Sequence, residues 1–123
     1  MYKKDNESAE MYLETILRLK EKNEIVKAID VAEEMNFSRA SVSRAISLLR
    51  EKGLVDVDDE NGNLLFTKDG EEYAKKIFNR HCVLMKFLIS IGVNEKTAEE
   101  DACKIEHILS EETFNVIKNI VNK

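Results

Sequence analysis

The chain has 123 residues and a net charge of −5, with 43% hydrophobic and 35% charged residues. This composition is typical of a folded chain with room for one domain or two small ones, and it excludes a chain that is disordered as a whole. No apolar run approaches the ~20 residues of a membrane helix, and the N-terminal residues lack the apolar core of a signal peptide. We therefore expect a cytoplasmic protein without a membrane partner, whose two cysteines are thiols rather than a disulfide.

Three helices are predicted in the first half of the chain. The apolar periodicity places them at residues 8–21, 28–35 and 38–52, with Ser8 and Ser38 at the first and third N-termini. A short helix, a tight turn and a longer helix in this order predict a helix-turn-helix.

Two short strands are predicted next, at residues 54–57 and 64–67. The Asn61-Gly62 pair between them is a strong signal for a β-hairpin. Further helices are predicted at about 69–91, 95–109 and 111–122. The predicted fold class is mostly α with a small β-hairpin wing, in which a winged helix-turn-helix domain is followed by an all-helical domain.

The third helix carries the candidate DNA-binding residues. Residues 38–53 hold four basic side chains and one acidic one, a local charge of +3 in an otherwise acidic chain. Phosphate binding needs a local basic face rather than a basic protein, and a helix-turn-helix places this N-terminus in the major groove. The candidates for phosphate and base contacts are Ser38, Arg39, Ser41, Ser43 and Arg44. A winged helix used for protein contacts is the alternative, which the clustered basic residues disfavour.

A second group of residues is typical of a metal site. Cys103, Glu106 and His107 occur together as C-K-I-E-H in a predicted helix, and Glu99 lies one turn earlier. On a helix these four residues fall on one face, within about 100° of arc. A thiolate, carboxylates and an imidazole are donors that a divalent transition metal prefers, although donors on one helix do not complete a site.

Three further residues are possible ligands but ambiguous when taken singly. Met11 lies opposite the apolar stripe of its helix with Glu14 nearby, and from this helix alone an ordinary surface methionine is favoured over a pair of metal donors. His81 lies at the centre of the apolar stripe of the long helix, where a hydrogen-bonded core histidine is the usual explanation.

Taken in order, several motifs resemble the diphtheria toxin repressor family of metal-dependent regulators, which includes the manganese transport regulators. Besides the third helix, the motifs are E-M-Y-L-E-T-I at 10–16, F-T-K-D-G at 66–70, N-R-H at 79–81, I-G-V at 91–93 and C-K-I-E-H-I-L-S at 103–110. The resemblance covers nearly all of the chain. It implies a DNA-binding domain over residues 1–70 and a metal-binding and dimerisation domain over residues 71–123, and hence a homodimer on a palindromic operator in double-stranded DNA.

The resemblance also implies a ligand set for the metal. Four residues match the primary site of the iron-type members: Met11, Cys103, Glu106 and His107. His81 matches an ancillary-site histidine of those members and a direct ligand of the manganese type. Glu14 matches a carboxylate ligand of the manganese type, and Glu99 falls where the iron type has an ancillary histidine.

The chain departs from both types of member. Met85 stands where the iron type has an ancillary carboxylate. Met11 and Cys103 stand where the manganese type has an aspartate and a glutamate, and Ala40 replaces a proline found early in some recognition helices of the family. Because the chain ends near residue 123, we expect the SH3-like third domain of the longer members to be absent.

The expected function is that of a homodimeric repressor, activated by Fe(II) or Mn(II), that controls metal-uptake genes. Soft thiolate and thioether donors favour iron and the hard carboxylate of Glu14 favours manganese, so we favour Fe(II) modestly and expect Zn(II) and Co(II) to bind in vitro. Metal binding is expected to relieve carboxylate repulsion and to hold two recognition helices ~34 Å apart, about one turn of duplex.

Two alternative functions, each of a different class from a metal-dependent repressor, remain open. A winged-helix regulator without a metal, in which His81 and Cys103 are core residues, predicts DNA binding that is indifferent to chelators. A small metal-dependent enzyme or metal-buffering protein predicts metal binding without salt-dependent DNA affinity. The sequence has no H-E-x-x-H, Gly-rich phosphate loop or G-x-S-x-G motif, so we expect neither catalysis nor a small organic substrate.

Overall fold

The computed structural model describes residues 4–123, with side chains from residue 9 onward. Its elements are α1 Lys4–Lys22, α2 Ala28–Met35, α3 Arg39–Glu51, β1 Val55–Val57, β2 Leu64–Phe66, α4 Lys68–Ser90, α5 Glu95–Ile105 and α6 Glu111–Val121. The two strands form an antiparallel hairpin with Val57 opposite Leu64. This order confirms the predicted fold class. Within the described part of the chain, none of the helices has the length and apolar character needed to cross a membrane.

Two predicted helix boundaries are wrong. The first helix begins at Lys4 rather than at Ser8, since residues 4–8 contain no Pro or Gly that would stop it. The side chain of Ser8 itself lies outside the described residues. The fifth helix ends at Ile105 rather than near residue 109, and residues 106–108 form a turn.

The next helix, α6, is capped at Ser110. Ser110 is extended, with φ −71° and ψ 157°, and its side chain accepts a hydrogen bond from the Thr113 N–H at 3.1 Å. A residue in this conformation cannot continue a helix, so Ser110 separates α6 from the turn that follows α5.

The helix-turn-helix depends on two local features. Asn36 ends α2 in the left-handed region, with φ 58°, a conformation that asparagine tolerates better than most residues. Ser38 then caps α3, as predicted, by accepting a hydrogen bond from the Ser41 N–H at 3.2 Å.

The chain divides into two compact units, Lys4–Lys75 (the N-terminal unit) and Lys76–Lys123 (the C-terminal unit), and α4 contributes to both. The N-terminal unit encloses an apolar core whose largest fully buried members are Leu13, Ile16, Val26, Val31, Val42, Leu49 and Leu64. The buried residues of the C-terminal unit include Ile77, Leu84, Ala98, Ala102 and Phe114.

The hairpin is joined to the rest of the N-terminal unit by polar contacts near Asn63. Its side-chain oxygen accepts hydrogen bonds from the Val26 N–H at 2.9 Å and from Lys20 Nζ at 3.2 Å. Lys20 Nζ also donates to the Leu64 carbonyl at 2.6 Å. These bonds fix the start of β2 to α1 and to the loop that follows α1.

Gly70 explains why the F-T-K-D-G motif ends in glycine. It lies in the first turn of α4, where a Cβ atom would be only 1.8 Å from the Leu54 carbonyl oxygen. Its N–H donates to Thr67 Oγ1 at 3.0 Å, and the Thr67 N–H donates to the same Leu54 carbonyl at 3.1 Å. The motif therefore brings the backbone of α4 directly against the residue that precedes β1.

Candidate functional site

The C-terminal unit contains a buried histidine between two carboxylates. His81, on α4, is 3% exposed. Its Nδ1 lies 2.8 Å from Glu106 Oε2 and its Nε2 lies 3.0 Å from Glu99 Oε2. Both ring nitrogens are therefore within hydrogen-bond distance of a carboxylate, an arrangement that suits an imidazolium donating two N–H bonds.

The thiol of Cys103 adjoins this histidine. Cys103 Sγ is 3.8 Å from His81 Nδ1 and 3.8 Å from Glu99 Oε1. Cys103 and Glu99 are four residues apart on α5 and so project from the same side of that helix. The ligand atoms of His81, Glu99 and Cys103 all lie within 4.8 Å of one another.

The cluster changes the proton affinity of its histidine strongly. Burial opposes protonation of His81, but hydrogen bonds to Cys103, Glu106 and Glu99 and the charge of Glu106 outweigh it and raise the pKa of His81 to about 11. At neutral pH His81 is therefore charged and partly neutralises the carboxylates around it.

Glu106 and His107 extend the cluster from the turn after α5. The Glu106 side chain is 0% exposed, and its Oε1 lies 3.1 Å from Nε2 of His107, whose side chain is also buried. A fully buried carboxylate is rare in proteins unless it is paired. Although α5 ends at Ile105, before these residues, Glu106 keeps helical angles, with φ −56° and ψ −27°, and faces His81.

Met11 and Glu14, the candidates on α1, belong to the N-terminal unit. Met11 is exposed, whereas Glu14 is buried and forms an ion pair with Arg18 at 2.7 Å. The placement of Met11 agrees with its position opposite the apolar stripe. The role of both residues as metal ligands stays a prediction of the family resemblance.

The donor set of the C-terminal unit fits a divalent transition metal. It combines an imidazole, a thiol and carboxylates within a few ångströms, and the buried ones are shielded from competition by water. Because ligands must be deprotonated, His81 and Cys103 would each have to lose a proton to coordinate a cation. The five residues that could hold it are His81, Glu99, Cys103, Glu106 and His107.

Arg80 contacts this region although it is not among the predicted site residues. Arg80 precedes His81, and its guanidinium donates hydrogen bonds to the carbonyls of Glu106 at 3.1 Å and Leu109 at 2.9 Å. Its position within the N-R-H motif was the only signal that pointed to it, since nothing else distinguishes it from a surface arginine.

The N-terminal turns of α3 present the predicted DNA-binding residues. The side chains of Arg39, Ser43 and Arg44 are exposed. Those of Ser38 and Ser41 are engaged in the helix cap, where Ser38 Oγ accepts from the Ser41 N–H and donates to Ser41 Oγ at 3.0 Å. The two arginines are therefore the basic side chains that the start of α3 offers to a phosphate or a guanine.

Comparison with known proteins identifies the family. The model of the iron dependent repressor N-terminal DNA binding domain matches residues 6–62, and that of the iron dependent repressor metal binding and dimerisation domain matches residues 67–123. The chain belongs to the iron-dependent repressor family. Its N-terminal part is thus a DNA-binding domain and its C-terminal part a metal-binding and dimerisation domain, as the resemblance implied.

The relatives agree with this membership. An uncharacterized HTH-type transcriptional regulator of Methanocaldococcus jannaschii is 37% identical over 120 residues, which cover 96% of this chain and 95% of the relative. The transcriptional regulator MntR of Escherichia coli O6:H1 is 30% identical, over 91% of this chain and 72% of that protein.

A solved structure extends the comparison to the fold. A manganese-dependent transcriptional repressor in complex with manganese superposes with a TM-score of 0.84 at 28% identity, over 93% of this chain and 52% of that one. This chain therefore spans about half of that protein, and it covers 46% of the diphtheria toxin repressor of Corynebacterium glutamicum, to which it is 29% identical.

Proposed function

We propose that this protein is a homodimeric transcriptional repressor that binds a palindromic operator in double-stranded DNA in response to Fe(II) or Mn(II). The observation that carries the proposal is the buried His81 with Glu99, Cys103 and Glu106 around it, in a domain whose family binds metal. We further propose that its target genes serve metal uptake and that it acts in the cytoplasm, without catalysis and without a small organic substrate.

The proposed ligands in the C-terminal unit are His81, Glu99, Cys103, Glu106 and His107, and the resemblance adds Met11 and Glu14 of α1. A bound divalent cation would supply positive charge that replaces the proton on His81 and neutralises the carboxylates. Glu106 is the ligand with the strongest support, because its buried carboxylate approaches both His81 and His107.

The choice between the two metals depends on the thiol. Cys103 is a soft donor and favours Fe(II) over Mn(II), whereas the carboxylates bind either metal. The similar proteins include the iron-dependent repressor IdeR of Mycobacterium bovis and, among solved structures, the manganese-dependent transcriptional repressor. We favour Fe(II), and we expect Zn(II) and Co(II) to bind in vitro because affinity follows the Irving–Williams order.

Metal control of DNA binding requires two conformations with different metal affinities. A ligand shifts an equilibrium only by the difference between its affinities for the two states, so the site must be better formed in the DNA-competent state. On α3, Arg39 and Arg44 would then contact phosphates or guanines in each half of the operator.

A metal-independent regulator is the second candidate, and one observation favours it. His81, Glu99, Cys103 and Glu106 already bond to one another, as the members of a structural polar network in a protein core would. This candidate predicts operator binding that is unchanged in the presence of a chelator.

The test is fluorescence anisotropy of the anaerobic protein on promoter DNA from its own genome, with Fe(II), with Mn(II) and with chelator. Binding that depends on metal supports the proposal, and the two titrations rank the metals. Tight binding in chelator would leave the winged helix as the DNA-binding element and would remove the metal from the mechanism. An unrelated duplex of the same length, measured at the same salt concentration, controls for non-specific affinity.

A further inference from the structure

The side chain of Arg80 crosses from α4 to the turn that carries Glu106 and His107. The arginine side chain is 12% exposed. Its Nη1 donates to the Glu106 carbonyl oxygen at 3.1 Å and its Nη2 donates to the Leu109 carbonyl oxygen at 2.9 Å. One guanidinium therefore holds both ends of the segment 106–109.

Two further contacts fix the orientation of this guanidinium. Its central carbon lies 5.0 Å from the centroid of the Phe114 ring, and Nη2 lies 3.6 Å from Glu111 Oε1. A planar cation held over an aromatic ring retains the fork geometry with which it binds two carbonyls. The contact with exposed Glu111 is long, so we expect it to contribute little.

The carbonyls that Arg80 binds are ones that the helix cannot satisfy. The last carbonyls of a helix lack intrahelical partners, and Glu106 is the C-cap residue of α5. Arg80 supplies a donor to that carbonyl. It thereby stabilises the point at which the chain leaves the helix, between Cys103 and the cap at Ser110.

Arg80 and His81 are consecutive on α4. One turn of α4 therefore supplies both the imidazole that contacts the Glu106 side chain and the guanidinium that binds the Glu106 backbone. The 2.8 Å distance between His81 Nδ1 and Glu106 Oε2 depends on the position of that backbone. A shift of the turn by about 1 Å would lengthen the contact between Glu106 and His81.

We propose that Arg80 is a positioning residue of the metal centre, which fixes the turn 106–109 so that Glu106 and His107 are preorganised before a cation binds. This inference rests on the proposed metal function. Partners that orient metal ligands typically change metal affinity by about 10–100-fold when they are lost. Arg80 would act through the backbone of the ligands instead of through their side chains.

The test compares Co(II) binding by the full-length wild type and by Arg80→Met, Arg80→Lys and Glu111→Gln. Methionine keeps an apolar chain over Phe114 and removes the hydrogen bonds, whereas lysine keeps the charge but cannot span both carbonyls. Glu111→Gln is the matched control, because it removes the ion pair and leaves the carbonyl bonds of Arg80 intact. Thermal unfolding in chelator measures the stability of each variant separately.

We expect Arg80→Met to weaken Co(II) binding by about 10-fold or more and to alter the ligand-field bands, while the thiolate-to-cobalt band from Cys103 persists. Arg80→Lys should recover part of the affinity, and Glu111→Gln should match the wild type. If Arg80→Met does not fold, a loss of affinity in folded Arg80→Lys supports the proposal, and an unchanged affinity overturns it.

Two results would overturn the inference in different ways. Wild-type Co(II) affinity and spectrum in the Arg80 variants, with only a lower melting temperature, would make Arg80 a purely structural residue and leave the proposed function intact. Absence of Co(II) binding by the wild type itself would overturn both the positioning role and the metal function.

Discussion

The side chains of His81 and Glu106 lie 2.8 Å apart, Nδ1 to Oε2, although 25 residues separate them in the sequence. Both are almost completely buried. Two buried charges are tolerated when they satisfy each other, and the loss of either partner leaves an uncompensated charge in the interior. This pair therefore links the stability of the C-terminal unit to the residues that we propose as metal ligands.

Glu106→Gln should abolish metal-stimulated DNA binding and lower the stability of the C-terminal unit without unfolding it. Glutamine has the same shape, and its amide oxygen can accept the hydrogen bond from His81, but it removes the negative charge that a cation requires. Because Glu106 is a proposed direct ligand, the loss of metal affinity should exceed the 10–100-fold typical of residues that only orient ligands. Anisotropy with and without metal, together with circular dichroism, measures both effects. Undiminished stimulation would remove Glu106 from the site.

Arg44→Ala should weaken DNA binding by about 1–3 kcal/mol and leave metal affinity unchanged. Arg44 is exposed near the start of α3. If it contacts a phosphate, the slope of log affinity against log salt should fall by about 1. The control is Arg50→Ala, since Arg50 already pairs with Asp56 at 3.4 Å and should contribute less. Equal DNA affinity of wild type and Arg44→Ala would mean that another face of the helix contacts DNA.

The metal-free protein should lose stability as the pH rises above neutrality. The pKa of His81 is raised from 6.5 to about 11, so the folded state binds a proton that the unfolded state releases. The stabilisation is complete below about pH 6.5, the unfolded value, and disappears as the pH rises through 11.

Urea unfolding in chelator at pH 6, 8 and 10 measures this dependence. His81→Gln serves as the comparison, because it lacks the titrating group and should flatten the profile over this range. A wild-type midpoint that rises between pH 7 and pH 10 would contradict the assignment of the charge to His81.

Gly70→Ala should destabilise the protein more than Gly53→Ala does. A Cβ at Gly70 would lie 1.8 Å from the Leu54 carbonyl oxygen, and backbone atoms cannot yield as a flexible side chain can. We expect a loss above the ~1–3 kcal/mol typical of overpacked sites. Gly53 faces open space but has φ 74°, so alanine there should cause only about 1–2 kcal/mol of backbone strain. Urea midpoints compare the two variants, and equal midpoints would argue against the close approach of α4 to Leu54.

The sequence alone determined most of the elements of this protein, because their signals are local. The apolar periodicity placed α2 and α6 within one residue of their observed bounds. The caps at Ser38 and Ser110 involve hydrogen bonds to residues only three positions away. The order of elements and motifs was enough to indicate the family.

The tertiary structure decided which side chains of the candidate site meet. The helical pattern could group Glu99 with Cys103, which are four residues apart, but their approach to His81 depends on the packing of α5 near α4. The contacts of Arg80 were not predictable either, since the carbonyl groups that it binds lie 26 and 29 residues further along the chain. A periodic sequence specifies the buried face of a helix, whereas the partner of each polar group on it is chosen by the packing of distant segments.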